Sequence, residues 1–135
     1  MKQFGGNVLY LENGDINSID IPSTNGKVII SKGTFGTGSD NENGPKFLCD
    51  KGINTVIAAS FDKSFKDKTT ENNVLAIDID KKSMADIFKT FGDKESEAKI
   101  ILNEDGTAKV KLYAGSLSKS YPFTPDDNQK NLLSD

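Results

Sequence analysis

The sequence predicts one α/β domain, and three observations predict it. Short apolar runs rich in β-branched residues recur along the chain at Val28-Ile29-Ile30, Thr55–Ala59 and Val74–Ile77. Runs of that length and composition suit buried strands. Between the first two lies a stretch crowded with Gly33, Gly36, Gly38 and Gly44, closed by Pro45 and followed by Phe47-Leu48. That order reads as strand, glycine-rich loop, helix, strand: glycine admits positive φ and close approach of backbone to a ligand, and proline suits a first helical turn. Finally, 135 residues fit a single domain spanning 1–135 without internal repeats or a linker.

Taken in order, Asn7–Leu11 reads as a first strand and Asn13-Gly14 as a turn signal. The stretch from Gly14 to Ser23 reads as a solvated loop with Asp20 as a turn or capping residue. Val28–Ile30 and Thr55–Ala59 flank the glycine loop, which spans Gly33 to Pro45. A loop of this kind feeding a helix N-terminus offers free N–H groups and the positive end of a dipole to an anion, and a carboxylate beside the Ser39 hydroxyl is the expected guest. Asp62 is placed to cap a helix, and Phe61 with Phe65 form an apolar pair. After the strand Val74–Ile77, Asp78 and Asp80 read as a solvated terminus. Ser83–Phe91 reads as a helix with Ser83 as N-cap, Asp86 as its capping-box partner, and Met84, Ile87, Phe88 and Phe91 on the core face. Lys99–Leu102 and Ala108–Tyr113 around Asn103–Thr107 predict a β-hairpin. Tyr121–Asp126 reads as an irregular tail before a short helix at Leu132-Leu133.

Composition removes several kinds of chemistry. The net charge is −3, from 17 cations and 20 carboxylates, which gives no basic footprint for nucleic acid or an anionic membrane. All 17 cations are lysine; arginine, histidine and tryptophan are absent. Histidine acid–base chemistry, histidine metal ligation and a bidentate guanidinium clamp are therefore excluded within this chain. Cys49 stands alone, which excludes an internal disulfide and any metal cluster held by this chain by itself; it reads as a small buried apolar residue on the helix after Pro45. No apolar leader or membrane-length segment is visible, so a cytoplasmic protein is the expectation.

One set of segments carries a resemblance. Thr34-Phe35-Gly36-Thr37-Gly38-Ser39-Asp40-Asn41-Glu42-Asn43-Gly44-Pro45, then Gly52-Ile53-Asn54-Thr55-Val56-Ile57-Ala58-Ala59-Ser60-Phe61, then Asn72–Ile77 resemble, in order and spacing, the swivelling domain of the aconitase superfamily. They are most like the small-subunit family of 3-isopropylmalate dehydratases. The resemblance implies a single swivelling β/β/α domain. It also implies a hydro-lyase small subunit of leucine biosynthesis, inactive alone, acting on a hydroxy-acid related to isopropylmalate. The cofactor it implies is a [4Fe–4S] cluster in a separate large subunit, with none in this chain. Carried over residue by residue, Ser39 is the base that takes the α-proton, while Asp20, Ser23, Thr37, Gly38, Asp40 and Asn41 line the substrate site.

The chain departs from that pattern at three places. Asp40 stands where the family has a second serine, Asn41 where it has an arginine, and Thr24–Lys27 replaces a longer segment that carries another arginine. Two like charges about 4 Å apart at an effective dielectric near 20 repel by about 4 kcal/mol, so Asp40 opposes both a substrate carboxylate and an alkoxide. Lys46 is the nearby cation, a point charge without the guanidinium fork. The competing expectation is a catalytically inactive aconitase-like domain used for binding or interaction.

Overall fold

The computed structural model of the protein describes residues 5–11, 14–15, 26–37, 43–92 and 94–134. Its elements in chain order are β1 (Gly5–Leu11), β2 (Gly14–Asp15), β3 (Gly26–Thr37), α1 (Gly44–Asp50), β4 (Thr55–Phe61), α2 (Lys63–Lys66), β5 (Leu75–Asp78), α3 (Lys81–Phe91), β6 (Glu97–Leu102), β7 (Ala108–Ala114), β8 (Leu117–Phe123) and α4 (Asp127–Ser134). The strands form one mixed sheet in the order β5-β4-β3-β1-β6-β7-β8, with β2 paired beside β3. β1, β3, β4 and β5 run parallel, and β6, β7 and β8 continue the sheet antiparallel. This is the α/β architecture that the apolar runs predict.

The parallel strands read as unbroken apolar runs because both of their faces are covered. On one face Ile29, Phe35, Val56 and Ala58 pack with Leu48 of α1 and Phe65 of α2. On the other, Val28, Ile30, Ile57, Leu75 and Ile77 share a core with Met84, Ile87 and Phe91 of α3, and with Val110, Leu112, Tyr121 and Phe123 of the antiparallel arm. Alternate residues of β3 and β4 thus serve two cores.

Buried and half-buried polar groups find partners within the chain. The Asn54 side chain accepts from the Gly5 amide at 3.0 Å and donates to the Gly5 carbonyl at 3.1 Å, which ties β1 to the approach of β4. Buried Gln129 of α4 donates its side-chain Nε2 to the Ala76 carbonyl of the edge strand β5; its Oε1 accepts from the Asp126 backbone amide, and its own backbone amide donates to the Asp126 carboxylate in a reciprocal cap. Among the described residues, no buried side-chain nitrogen or oxygen lacks a partner.

Several expectations are corrected. Gly14 of the expected Asn13-Gly14 turn signal pairs with Phe35 as part of β2, while Asn13 lies outside the described residues. Ser83 lies inside α3, whose N-cap is Asp80, and Asp86 accepts hydrogen bonds from Tyr121 Oη at 2.6 Å and Lys119 Nζ at 3.0 Å instead of closing a capping box. Leu117–Phe123 is a full edge strand: Pro122 faces Lys109 across the ladder, and an edge position tolerates a missing N–H donor. Cys49 is exposed, because Leu48 and not its neighbour turns toward the sheet. The α3 core face, the capping role of Asp62 and the hairpin at Asn103–Thr107 form as expected.

The Asp86 contacts make a pH-dependent link between α3 and β8. The Tyr121 hydroxyl, and then Lys119, hold the Asp86 carboxyl below its ordinary value of 3.8. A depressed carboxyl stabilises the fold above the unfolded-state value and loses that contribution as pH falls through the folded one. Asp86→Asn should therefore lower the urea midpoint at pH 7, with the gap to the parent closing progressively below the ordinary carboxyl value of 3.8. Equilibrium unfolding followed from pH 7 to pH 2.5 checks it.

Candidate functional site

The site is built at the carboxyl ends of β3 and β4. β3 is longer than the apolar run alone predicts: a bulge at Lys32-Gly33 interrupts its register with β4, and pairing then resumes at Thr34 with Ser60 and Phe35 with Phe61. Gly33, at φ 72°, supplies the left-handed conformation the bulge requires. Gly33 to Thr37 is thus strand and not loop, which corrects the expected loop boundary. β3 ends at Thr37 and the described structure resumes at Asn43, with Pro45 in the first turn of α1.

Three rings form the underside of this edge. Phe35 packs edge-on against Phe61 and Phe65, whose rings stack on each other at 6.1 Å between centroids. Phe65 is presented by α2, whose N-cap Asp62 accepts from the Ser64 amide at 3.0 Å, while the Asp62 amide donates to the Phe35 carbonyl at 2.9 Å. The Phe65 ring fills the volume a side chain at Gly36 would need. Gly36 at φ 91° therefore lets β3 pass directly over the ring. At the solvent side, the Thr34 and Ser60 hydroxyls share a hydrogen bond of 2.7 Å across the strands.

Of the expected site residues, Thr37 is placed at the tip of β3, half-buried and paired with Asp15. Gly38, Ser39, Asp40 and Asn41, with Asp20 and Ser23, lie outside the described residues. Lys46, the cation nearest the loop in sequence, is engaged with Asp50 at 3.1 Å in an exposed pair, worth only about 0.2–1 kcal/mol. The Thr34–Ser60 hydroxyl pair and the Gly36–Phe65 contact went unforeseen, since residues 26 and 29 positions apart meet only through the β3–β4 register. The -Ser60-Phe61-Asp62- junction was their one local signal: a strand end followed by a cap.

A metal has few donors here. Among the described residues, no group of three or more histidine, cysteine, aspartate or glutamate side chains could hold one. An iron–sulfur cluster is held by thiolates, and this chain has one cysteine and no histidine. Its residues do not fit such a group.

The model of the Aconitase C-terminal domain matches residues 17–82, which contain β3, α1, β4, α2 and β5. Over this segment the chain is similar to the aconitase C-terminal domain. It is similar to 3-isopropylmalate dehydratase small subunits. That of Methylobacterium radiotolerans is 32% identical over 136 residues, covering 98% of this chain and 66% of the relative. That of Nitrobacter hamburgensis is 37% identical over 81 residues, covering 60% and 39%. That of Rhodopseudomonas palustris is 36% identical over 110 residues, covering 81% and 52%. The matched region thus spans between 39% and 66% of these relatives' lengths.

The Gly36–Phe65 contact has a measurable consequence. Gly36→Ala places a methyl group against the Phe65 ring at a positive φ, and should cost about 3 kcal/mol from overpacking and backbone strain together. Urea denaturation of the variant and of Gly36→Ala/Phe65→Leu, in which the smaller side chain recovers part of the loss, checks it.

Proposed function

We propose that this chain is the small subunit of a hydro-lyase acting on a hydroxy-acid related to isopropylmalate, in the dehydration–rehydration step of leucine biosynthesis. The observation that carries the reading is the similarity to dehydratase small subunits, over 98% of the chain for that of Methylobacterium radiotolerans, which includes the segment from β3 through α1 to β4. A cluster-bearing large subunit is the partner, because this chain lacks the thiolates for an iron–sulfur centre. The cytoplasm is the compartment this biosynthetic role implies; no helix among the described residues is long and apolar enough to cross a membrane.

In this reading the segment between Thr37 and Gly44 is the catalytic loop. Ser39 Oγ takes the proton from the carbon next to a substrate carboxylate, and the electron pair left on that carbon forms the double bond as hydroxide departs from its neighbour. The departing hydroxide is handled by the partner's chemistry. A serine acts as a base only if its alkoxide is stabilised, and amide donors from Gly38 and the start of α1 are the groups this chain offers. Asp20, Ser23, Thr37, Asp40 and Asn41 supply the remaining polar contacts to the substrate. With Asn41 in the arginine position and Asp40 beside it, the cation facing the substrate carboxylate comes from the partner subunit.

The same two residues favour a second reading, an inactive aconitase-like domain that binds a partner without turnover. Co-expression with a cluster-bearing large subunit, followed by a hydration assay on unsaturated dicarboxylates, separates the two. Turnover by the complex, with Ser39→Ala lowering kcat by about 10²-fold or more while the complex persists, supports the dehydratase reading. A stable complex without turnover, or one in which Ser39→Ala is as active as the parent, supports the inactive domain.

A further inference from the structure

We propose that a second site, on the α3 side of the sheet, binds a short aliphatic carboxylate. The inference goes beyond the dehydratase reading and does not depend on it.

The cavity measures about 290 Å³. It exists because three small residues meet where the strands end unevenly. β5 stops at Asp78, opposite Ala58, while β4 runs on to Phe61. Ala59, the first residue of β4 beyond the last β5 pair, therefore has no neighbouring strand on that side. Gly33 at the β3 bulge adds no side chain, and Ala85 on α3 adds only a methyl. Met84 and Phe88 of α3 form the larger apolar walls.

Two cations reach this apolar hollow. Lys32 Nζ sits 4.8 Å from the centre of the Phe88 ring, at the rim. Lys81, the first residue of α3, also lines the hollow and makes no ion pair among the described residues. Among the described residues no carboxylate lines the cavity, although the chain as a whole carries more acids than bases. Asp80, the N-cap of α3, makes no side-chain capping bond, so the first-turn amides of this 11-residue helix remain unpaired by it. An apolar pocket with a few convergent groups of one charge suits a ligand with a hydrocarbon body and a single anionic head. A bare inorganic anion leaves the Met84 and Phe88 walls unused; a neutral molecule leaves the Lys81 charge unused.

The test titrates the ¹⁵N-labelled 135-residue chain with sodium pentanoate, 1-pentanol and sodium phosphate at constant ionic strength. Pentanoate should give saturable shifts at the Gly33, Lys81, Met84 and Ala85 amides. Lys81→Gln should weaken it about threefold to fivefold, the loss of one exposed charge contact, and Lys32→Gln/Lys81→Gln by about tenfold or more. Ala85→Trp, at an exposed helix position, should fill the hollow and abolish the shifts with the unfolding midpoint retained. Should Ala85→Trp unfold the chain, the lysine variants decide. Absence of saturation, equal response to pentanol, the same shifts with phosphate, or unchanged pentanoate affinity in the double lysine variant each overturns the proposal.

Discussion

The close passage of β3 over the Phe65 ring is the constraint on which the geometry of the site rests. Asp62 caps α2, α2 presents Phe65, Phe65 excludes any side chain at Gly36, and Gly36 directs the chain at Thr37. Each link is short-range, yet together they tie the exit of β3 to the end of β4. Thr37 is the last described residue before the proposed catalytic loop, so its direction is set by packing and not by a charge or a metal. Packing of this kind is stiff: interiors are close-packed, and a ring cannot yield by a fraction of an ångström without disturbing its neighbours. Phe35 and Phe61 on either side leave Phe65 little room to yield.

The electrostatics of the chain follow a different logic from its packing. The described ion pairs all join lysine to a carboxylate at exposed or half-exposed positions, and such pairs contribute little. The interior uses neutral groups instead: Asn54 bridges β1 and β4, and Gln129 covers a carbonyl of the β5 edge. Charge therefore contributes to the fold at single contacts such as Asp86 with Tyr121 and Lys119, and not through buried ion pairs among the described residues. With no guanidinium anywhere, recognition of a carboxylate by this chain relies on amides, hydroxyls and single ammonium groups.

The parallel half of the fold was legible because its strands are buried on both faces, and Val28–Ile30, Thr55–Ala59 and Val74–Ile77 carry that burial as uninterrupted apolar runs. Asp62 was legible as a cap because capping is a local event. The β8 strand was not: three of its exposed residues, Ser118, Lys119 and Ser120, face solvent at an edge, and Pro122 argues against a strand unless its edge position is known. Ser83 misled because serine three residues before an acid mimics a capping box, whereas Asp86 is drawn to Tyr121, 35 residues away. The extension of β3 through Gly33 to Thr37 was hidden for a related reason. Glycine reads as loop locally, and only pairing with β4 and β2 makes it strand. The site residues proposed on the loop rest on family likeness alone, and Gly38, Ser39, Asp40 and Asn41 lie outside the described residues.

The two faces of the sheet divide the labour. The α1–α2 face carries the smaller core and the Gly36–Phe65 contact that aims β3 at the loop. The α3–α4 face carries the larger core, which also binds the antiparallel arm, and holds the lysine-rimmed hollow beside Met84. Because adjacent residues of β3 and β4 point to opposite faces, a change at Ile30 or Ile57 loads one core and a change at Ile29 or Val56 the other. The faces meet at the bulge, where Lys32 points toward Phe88 while the strand two residues on pairs Thr34 with Ser60. A bulge at that point lets one strand serve both: it turns a cation toward α3 and restores the register that carries Phe35 over Phe65. Removing the extra residue would preserve the hydrophobic count of β3 yet exchange the faces of everything beyond it, since side chains alternate with a period of two. The bulge is therefore a condition for the site as well as for the hollow.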